Sequence, residues 1–309
     1  MCNGTIMDKL ISFSLPLMLS GILQLMFNAV DIVVVGRFSG SQALAAVGST
    51  TALINVFTNL FIGISLGANV LAARFFAAGK DREMSETVHT SITLALISGV
   101  IMAFVGLFFS RGALELMATP SDVIDQSALY MKIYFLGMPF FMLYNYGAAI
   151  LRAVGDTKRP LIFLIISGSV NAVLNMILVI VFHLDVAGVA IATVISQMIS
   201  CILVLRCLYR SEGSYQLRFS RLMINKTYLK QIFQVGIPAG IQSTVINFSN
   251  VLLQSSVNSF GSTAMAGYTA ANNIFGFLYV AVNSVTQACM SFTSQNYGVR
   301  KYKRMDKVL

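Results

Sequence analysis

One carboxylate lies well inside an apolar segment of this sequence: Asp31, in the run NAVDIVVVGR. An ionisable group in the hydrocarbon core of a bilayer costs at least ~2.5 kcal/mol, so it must face a cavity or a partner. Gln24, Asn28 and Asp31 follow one another at helical spacing and therefore share one helix face. Such a carboxylate can take up a proton or bind sodium, and the residues alone leave both open. The alternative is an aspartate that only fixes helix packing.

Amides and hydroxyls at helical spacing on other apolar segments predict a wet cavity around this carboxylate. They are Ser49, Thr51, Asn55 and Asn59; Ser167, Asn171 and Asn175; Thr193, Ser196, Gln197 and Ser200; and Gln242, Asn247, Asn250 and Gln254. Any one of them can instead hydrogen-bond between helices and need no further role. The convergence of the whole set favours a cavity.

A proline precedes the carboxylate on the same segment. Pro16 lies about 22 Å before Asp31 along a straight helix, and a proline inside a helix removes a hydrogen bond and favours a kink. We therefore predict a bend that responds to the charge state of Asp31. Pro238 repeats the proline later in the chain, but the position equivalent to Asp31 is Leu253 or Gln254.

The elements that position these residues are predicted to be membrane spans. Hydrophobic residues make up 56% of the chain and charged residues only 11%, against roughly 25% charge in soluble domains. The net charge is +9, but the basic residues lie between apolar segments and form no nucleic-acid-binding stripe. The cysteines and histidines fit no metal site, and no HExxH, GxSxG or paired-carboxylate motif indicates a membrane enzyme.

Eight segments are long and apolar enough to span a bilayer as helices. They are residues 12–35, 46–72, 88–110, 123–150, 159–182, 187–209, 230–257 and 266–295. Alternate loops hold 18 of the 21 lysine and arginine residues, and positively charged loops stay cytoplasmic. Both termini of the chain are therefore predicted to be cytoplasmic.

Residues 12–84 return, weakly but in order, as residues 233–305, which is typical of a transporter built from two similar lobes. The fold class is thus an all-α polytopic helix bundle. We predict a complete six-helix lobe at 1–210, a cytoplasmic linker at 211–229 and the first two helices of a second lobe at 230–309.

Four motifs together resemble the multidrug and toxic compound extrusion (MATE) family, of the DinF-like or NorM-like kind. They are DIVVVGRFSG at residues 31–40, LRAVGDTKRP at 151–160, GVAIATVISQ at 188–197 and SQNYG at 294–298. The resemblance implies two six-helix lobes and export of organic cations or amphiphiles across the plasma membrane. It also implies coupling to protons or sodium by alternating access, with no cofactor besides the coupling ion.

The resemblance also implies a cation site. Its residues would be Asp31, Asn171, Asn175 and Thr193, with Pro16 as the proline whose kink responds to protonation. Asn175 departs from the family pattern, which has an acid there, and a single carboxylate favours protons over sodium. Tyr130, near the external end of the fourth span, is predicted to line the substrate cavity together with Tyr134, or else to belong to an interfacial aromatic belt.

Length is the larger departure, because the family has twelve spans and eight are predicted here. We expect a fragment or a truncated gene that lacks the rest of the second lobe and does not transport alone. The expected partners are a small organic cation or amphiphile and the lipid bilayer, without nucleic acid. The rival is a lipid-linked oligosaccharide flippase of the same superfamily, which is disfavoured because no lysine or arginine lies deep in a predicted span.

Overall fold

The computed structural model describes residues 1–117, 119–258 and 262–308, and their regular elements are all helices. The first seven are α1 Ile6–Phe38, α2 Gly40–Ala77, α3 Asp81–Leu116, α4 Ile124–Leu136, α5 Met138–Ala153, α6 Lys158–Met176 and α7 Asp185–Arg210. A π-helical turn, Ile177–Val181, extends α6. The last three are α8 Lys226–Asn258, α9 Ser262–Gly298 and the short α10 Tyr302–Asp306. The prediction of an all-helical membrane protein is confirmed.

Every predicted span falls on a helix or on a bent pair of helices. Six helices are long and apolar enough to cross a membrane, and the pair α4–α5 makes a seventh. Among the described residues, α8 does not pass this test, because glycines, amides and hydroxyls interrupt its apolar residues. That α8 crosses the bilayer therefore stays a prediction from the sequence.

The fourth predicted span is broken at Gly137, where α4 and α5 meet at 47°. The apolar pattern of residues 123–150 predicted one span there, without a break. A Cβ at Gly137 would press on Gln197 and on the Tyr134 carbonyl, and Pro139 lies in the first turn of the next helix, where it has no backbone N–H to donate. The bend separates α4, which carries Tyr130 and Tyr134, from α5, and both helices reach the same cavity.

Helices α1 to α7 enclose one apolar core, which includes Met84, Phe135, Tyr146 and Leu151. The segment between α7 and α8 lies against α3. There the backbone N–H of Arg218 donates to Nε2 of His89 at 3.1 Å, and that of Asn225 donates to the Thr90 hydroxyl at 3.1 Å. The polar, basic linker predicted from the sequence is thus held against α3 by hydrogen bonds.

Helix α8 crosses α2 at a point where the two backbones touch. Added side-chain carbons at Gly63 or Gly67 would overlap the backbone of Gly240 or of Ile232 and Gly236. Small residues let membrane helices approach this closely. This crossing lies in the half of both helices nearer the basic loops, which are the loops predicted to be cytoplasmic.

Candidate functional site

A polar cavity of about 680 Å³ lies between α1, α2 and α4 to α9. Its wall carries amide, hydroxyl and aromatic side chains from all of these helices. Those from the predicted polar faces are Asn55, Asn59, Ser167, Asn171, Thr193, Ser196, Gln197, Ser200 and Gln242. The side chains of Asn247, Asn250 and Gln254 lie outside the described residues. The volume suits a drug-sized molecule.

Asp31 lies in this wall, and its carboxylate accepts a hydrogen bond from Nδ2 of Asn175. The same Nδ2 donates to Oδ1 of Asn171 at 3.3 Å. Nδ2 of Asn171 then donates to the Thr193 hydroxyl at 3.4 Å, which itself donates to the Val189 carbonyl at 2.9 Å. One chain of hydrogen bonds therefore runs from α1 through α6 to α7.

The four residues of this chain differ in their access to the cavity. Asp31, Asn171 and Thr193 line it, whereas Asn175 is fully buried behind them. Oδ1 of Asn175 has no hydrogen-bond partner among the described groups. An acceptor without a donor in a buried site is an oxygen that a cation can coordinate. The arrangement offers carboxylate, amide and hydroxyl oxygens, the ligand types that suit hard cations such as sodium.

Tyr130 and Tyr134 lie beside this chain on α4 and line the cavity. Their rings stack with centroids 6.0 Å apart, and they share the cavity wall with the Asp31 carboxylate. Tyr130 is only 7% exposed, so it faces the protein interior, whereas an interfacial aromatic belt would present it to lipid. Two rings next to a carboxylate can hold an organic cation by cation–π attraction.

The other predicted site residues are divided between the cavity and the packing. Gln24 and Asn28 line the cavity on the same face of α1 as Asp31. Pro16 is buried outside it, and α1 continues as a single helix through this proline. The hydroxyl of Ser20 donates to the Pro16 carbonyl at 2.8 Å. Pro238 is exposed within α8 and is not part of the cavity wall. A charge-dependent bend at Pro16 stays a prediction.

Sequence reasoning missed the residues at the end of the cavity nearer the basic loops. Nδ2 of Asn69 donates to the Ala149 carbonyl at 2.8 Å, and the Ser291 hydroxyl donates to Oδ1 of Asn69 at 3.0 Å. Gln295 donates to the Ala153 carbonyl at 2.7 Å. These bonds join α2, α5 and α9 and form what we call the cavity floor. Only the SQNYG motif, which contains Gln295, signalled this region.

Arg152 is the second omission, and it corrects the sequence analysis. The motif LRAVGDTKRP was interpreted as the basic loop between the fourth and fifth spans, and no lysine or arginine was expected deep in a span. Instead, α5 continues to Ala153, and Arg152 in its last turn lines the cavity. The physical reason is that Gly155, at φ +97°, turns the chain only after the arginine, which keeps Arg152 helical.

No cluster of three or more histidine, cysteine, aspartate or glutamate side chains exists in the described part of the chain. A multivalent metal centre is therefore not formed by those residues. Among the described residues that line the cavity, Asp31 is the one acidic group. A monovalent ion or a proton at this carboxylate is consistent with the single charge.

Comparison with known proteins adds independent information. A protein-family model described as MatE matches residues 16–177 and 238–309. The chain is 31% identical over 306 residues to the probable multidrug resistance protein YoeA of Bacillus subtilis, covering 96% of this chain and 66% of that protein. It is 24% identical to the multidrug export protein MepA of Staphylococcus aureus, covering 99% of this chain and 68% of MepA. The chain thus spans about two thirds of these relatives.

Solved structures agree on the fold. The chain superposes with a TM-score of 0.91 on a crystal structure of MATE in the bent conformation, at 22% identity, covering 99% of this chain and 68% of the other. An outward-facing multidrug resistance MATE family transporter of the MOP superfamily gives a TM-score of 0.90 at 22% identity over 97% of this chain and 67% of that chain.

Proposed function

This chain belongs to the MatE family, and we propose that it carries the cation-coupling site of an antiporter that exports organic cations or amphiphiles. The observation that supports this most directly is the hydrogen-bonded carboxylate of Asp31 in the wall of a polar cavity. Two relatives are named as multidrug resistance or export proteins, which agrees with transport. Residues 1–210 form the coupling lobe, 211–229 the linker, and 230–309 the beginning of the second lobe.

Asp31 exchanges its counter-ion between the two sides of the membrane. Without a bound cation, the carboxylate takes a hydrogen bond from Asn175 and couples α1 to α6. A proton or a sodium ion removes the negative charge, so the charge-assisted part of this bond is lost. The change reaches α7 because Asn175, Asn171 and Thr193 are joined in one chain.

The contacts that join helices α1 to α7 to helices α8 and α9 support release of the substrate toward the outside. The α2–α8 crossing at Gly67 and the hydrogen bonds of the floor, Asn69 to Ser291 and Gln295 to Ala153, all lie in the half nearer the basic loops. We place those loops, and both termini of the chain, in the cytoplasm because of their positive charge. The cavity is then closed toward the cytoplasm, as the external half of an alternating-access cycle requires.

The substrate is recognised by shape and charge rather than by a fixed set of hydrogen bonds. Asp31 supplies a negative charge, and Tyr130 and Tyr134 supply stacked aromatic faces next to it. Amides around the remaining wall offer both donors and acceptors to different ligands. This combination favours cationic, partly apolar molecules.

A lipid-linked oligosaccharide flippase is the second candidate, and Arg152 in the cavity wall is the observation in its favour. A flippase must hold a pyrophosphate, which calls for several cationic groups. Arg152 is a single cation, and a carboxylate shares the same cavity. An assay of labelled lipid flipping beside an assay of dye efflux separates the two functions.

The decisive experiment replaces Asp31 by asparagine in the full-length protein and measures dye efflux from cells. We expect Asp31→Asn to abolish coupled efflux, because a neutral amide cannot exchange a proton or hold sodium by charge. Varying pH at fixed sodium, and sodium at fixed pH, identifies the ion that drives the wild-type protein.

The control is Asp122→Asn, which makes the same chemical change in an exposed turn between α3 and α4. It should leave efflux unchanged. Equal membrane levels of both variants show that Asp31→Asn folds. Efflux by Asp31→Asn at the wild-type level would refute the coupling role.

A further inference from the structure

Arg152 has an environment that its place in a basic segment does not explain. It belongs to the last turn of α5, and its side chain lines the cavity. The nearby Arg159 behaves as the segment predicts, since its side chain is exposed and pairs with Asp156 at 3.2 Å. Two arginines of one motif therefore face different surroundings, and only Arg152 reaches the space that we assign to substrate.

In the part of the chain that the structure describes, no side chain forms an ion pair with the guanidinium of Arg152. Among the described side chains, no carboxylate lies within 4.0 Å of it, and Tyr144 of the same helix shares the cavity wall with it. Tyr144 itself donates to the Pro160 carbonyl at 3.2 Å. A cation at the edge of a membrane bundle is costly without a partner, so its partner is expected from outside the chain.

Helix capping does not account for Arg152 either. Arginines near a helix C-terminus often bond to the last free carbonyls, but those of α5 already have donors. Ala149 and Ala153 accept from Asn69 and Gln295, while Ile150, Leu151 and Arg152 accept from the backbone of the following turn. The guanidinium therefore keeps its donors available to the cavity.

The cavity has charges of opposite sign in separate places. Phe141 and Arg152 are the first and the last residues of α5 in the cavity wall. At 1.5 Å per residue they lie about 16 Å apart, so the cavity extends at least that far along this helix. Asp31 shares the wall with Tyr130 and Tyr134 of α4, before the bend, whereas Arg152 lies in the last turn of α5, after the bend, and adjoins the floor at Ala153. The two charges form no ion pair with each other.

From this arrangement we infer that Arg152 is an anion subsite for the carboxylate or phosphate group of a zwitterionic amphiphile, whose cationic part lies toward Asp31. A guanidinium binds such groups through two parallel hydrogen bonds. The inference rests on the proposed function and narrows its substrates to molecules that carry both charges. Arg152 also distinguishes these substrates from simple organic cations.

Two dyes that differ in one group test this subsite in the purified protein. Rhodamine B has a free carboxylate beside its cationic ring system, and rhodamine B ethyl ester has the same rings without that negative charge. We expect the wild-type protein to bind rhodamine B about tenfold more tightly than the ester, as measured by fluorescence anisotropy. Equal affinities, or a preference for the ester, would overturn the Arg152 subsite without any variant.

Arg152→Gln should reduce the affinity for rhodamine B to that for the ester and leave the ester unchanged. Arg152→Lys keeps the charge and should keep part of the preference, while Arg159→Gln should keep all of it. If Arg152→Gln weakens both dyes equally, the residue is structural and the subsite is refuted. Arg152→Lys and the wild-type preference remain informative if the glutamine variant unfolds.

A lipid headgroup and a substrate share this anionic chemistry, so competition with phosphatidylglycerol separates them. We expect the lipid not to displace rhodamine B, and selective displacement of that dye would assign Arg152 to a headgroup and contradict the inference. The proposed function fails separately, if neither dye binds saturably or if Asp31→Asn leaves ester binding intact.

Discussion

The half of this molecule nearer the basic loops, which we propose to be cytoplasmic, and the opposite, external half are organised by different forces. In the cytoplasmic half, α2 and α8 touch backbone to backbone at Gly67 and Gly236, and hydrogen bonds from Asn69 and Gln295 close the cavity floor. In the external half, the hydrogen bonds around Asp31 stay within α1, α6 and α7. The contacts of the first region join helices α1 to α7 to helices α8 and α9. The second region holds the ionisable side chain of Asp31 among helices α1 to α7 alone.

The contacts that close the cavity are therefore separate from the site at which we propose that the coupling ion binds. The crossing at Gly67 depends on the absence of side chains and involves no charge, so ions cannot act on it directly. The Asp31 site depends on charge and leaves room in the cavity for a ligand. An ion bound at Asp31 can therefore influence closure only by moving a helix that connects the two regions, chiefly α1, which contacts α6 of the Asp31 site and α9 of the floor.

Of the changes that test the difference between the two halves, the largest effect should come from adding one methyl group at the α2–α8 crossing. In Gly67→Ala the new carbon overlaps the Ile232 carbonyl, and overpacking of this kind costs about 1–3 kcal/mol. We expect a lower melting temperature in detergent and loss of efflux in the full-length protein. The experiment measures thermal unfolding of the purified variant.

Gly48→Ala is the matched control, because it lies on the same helix and an added carbon there meets nothing within 4 Å. Alanine is also the better helix former, so stability should be unchanged or slightly higher. Equal stability of the two variants would show that the α2–α8 contact does not hold the cytoplasmic half together.

A smaller effect is expected from restoring a second acid to the external site. Asn175→Asp places a carboxylate next to Asp31, and two negative charges attract a sodium ion more strongly than one. We expect the sodium concentration for half-maximal efflux to fall about tenfold, or about 1.4 kcal/mol, while proton-driven efflux weakens. The measurement is a sodium titration of efflux at fixed pH.

The double variant Asp31→Asn with Asn175→Asp has one carboxylate again and should lose the gain in sodium affinity. If Asn175→Asp alone leaves the sodium dependence unchanged, the buried position 175 does not contribute to the ion site. In that outcome, Asn175 only orients Asp31.

The smallest effect should come from one hydrogen bond of the floor. Ser291→Ala removes the donor to Oδ1 of Asn69, and a single bond between membrane helices is worth about 0.6 kcal/mol. We expect the population of the cytoplasm-closed state to fall about threefold relative to the open state. Distance measurements between spin labels on the cytoplasmic ends of α2 and α9 report this shift.

Ser294→Ala is the control on the same helix, because the Ser294 hydroxyl donates at 2.7 Å to Met290 of its own helix. It should leave the spin-label distances unchanged. The same change in both variants would show that Ser291 does not close the floor specifically.

Much of the fold follows from the sequence because a bilayer permits few solutions. Long apolar segments must form helices that satisfy their own backbone hydrogen bonds, and the position of each helix follows from hydropathy. The break at Gly137 could not be predicted in this way, because its bend depends on how closely Gln197 packs against it. The segment that forms α8 was predicted from its apolar length and from the internal repeat, although glycines, amides and hydroxyls interrupt its apolar residues.

The sequence by itself determined the all-helical membrane architecture, the family and the isolated acid at Asp31. These features depend on composition, motif and the cost of a charge in hydrocarbon, all of which are local. Only the tertiary structure decided that Asn175 lies behind the site, that Arg152 lines the cavity and that Asn69 and Ser291 close its floor. Helical periodicity identifies the residues that share a face, but the packing of neighbouring helices decides what that face meets.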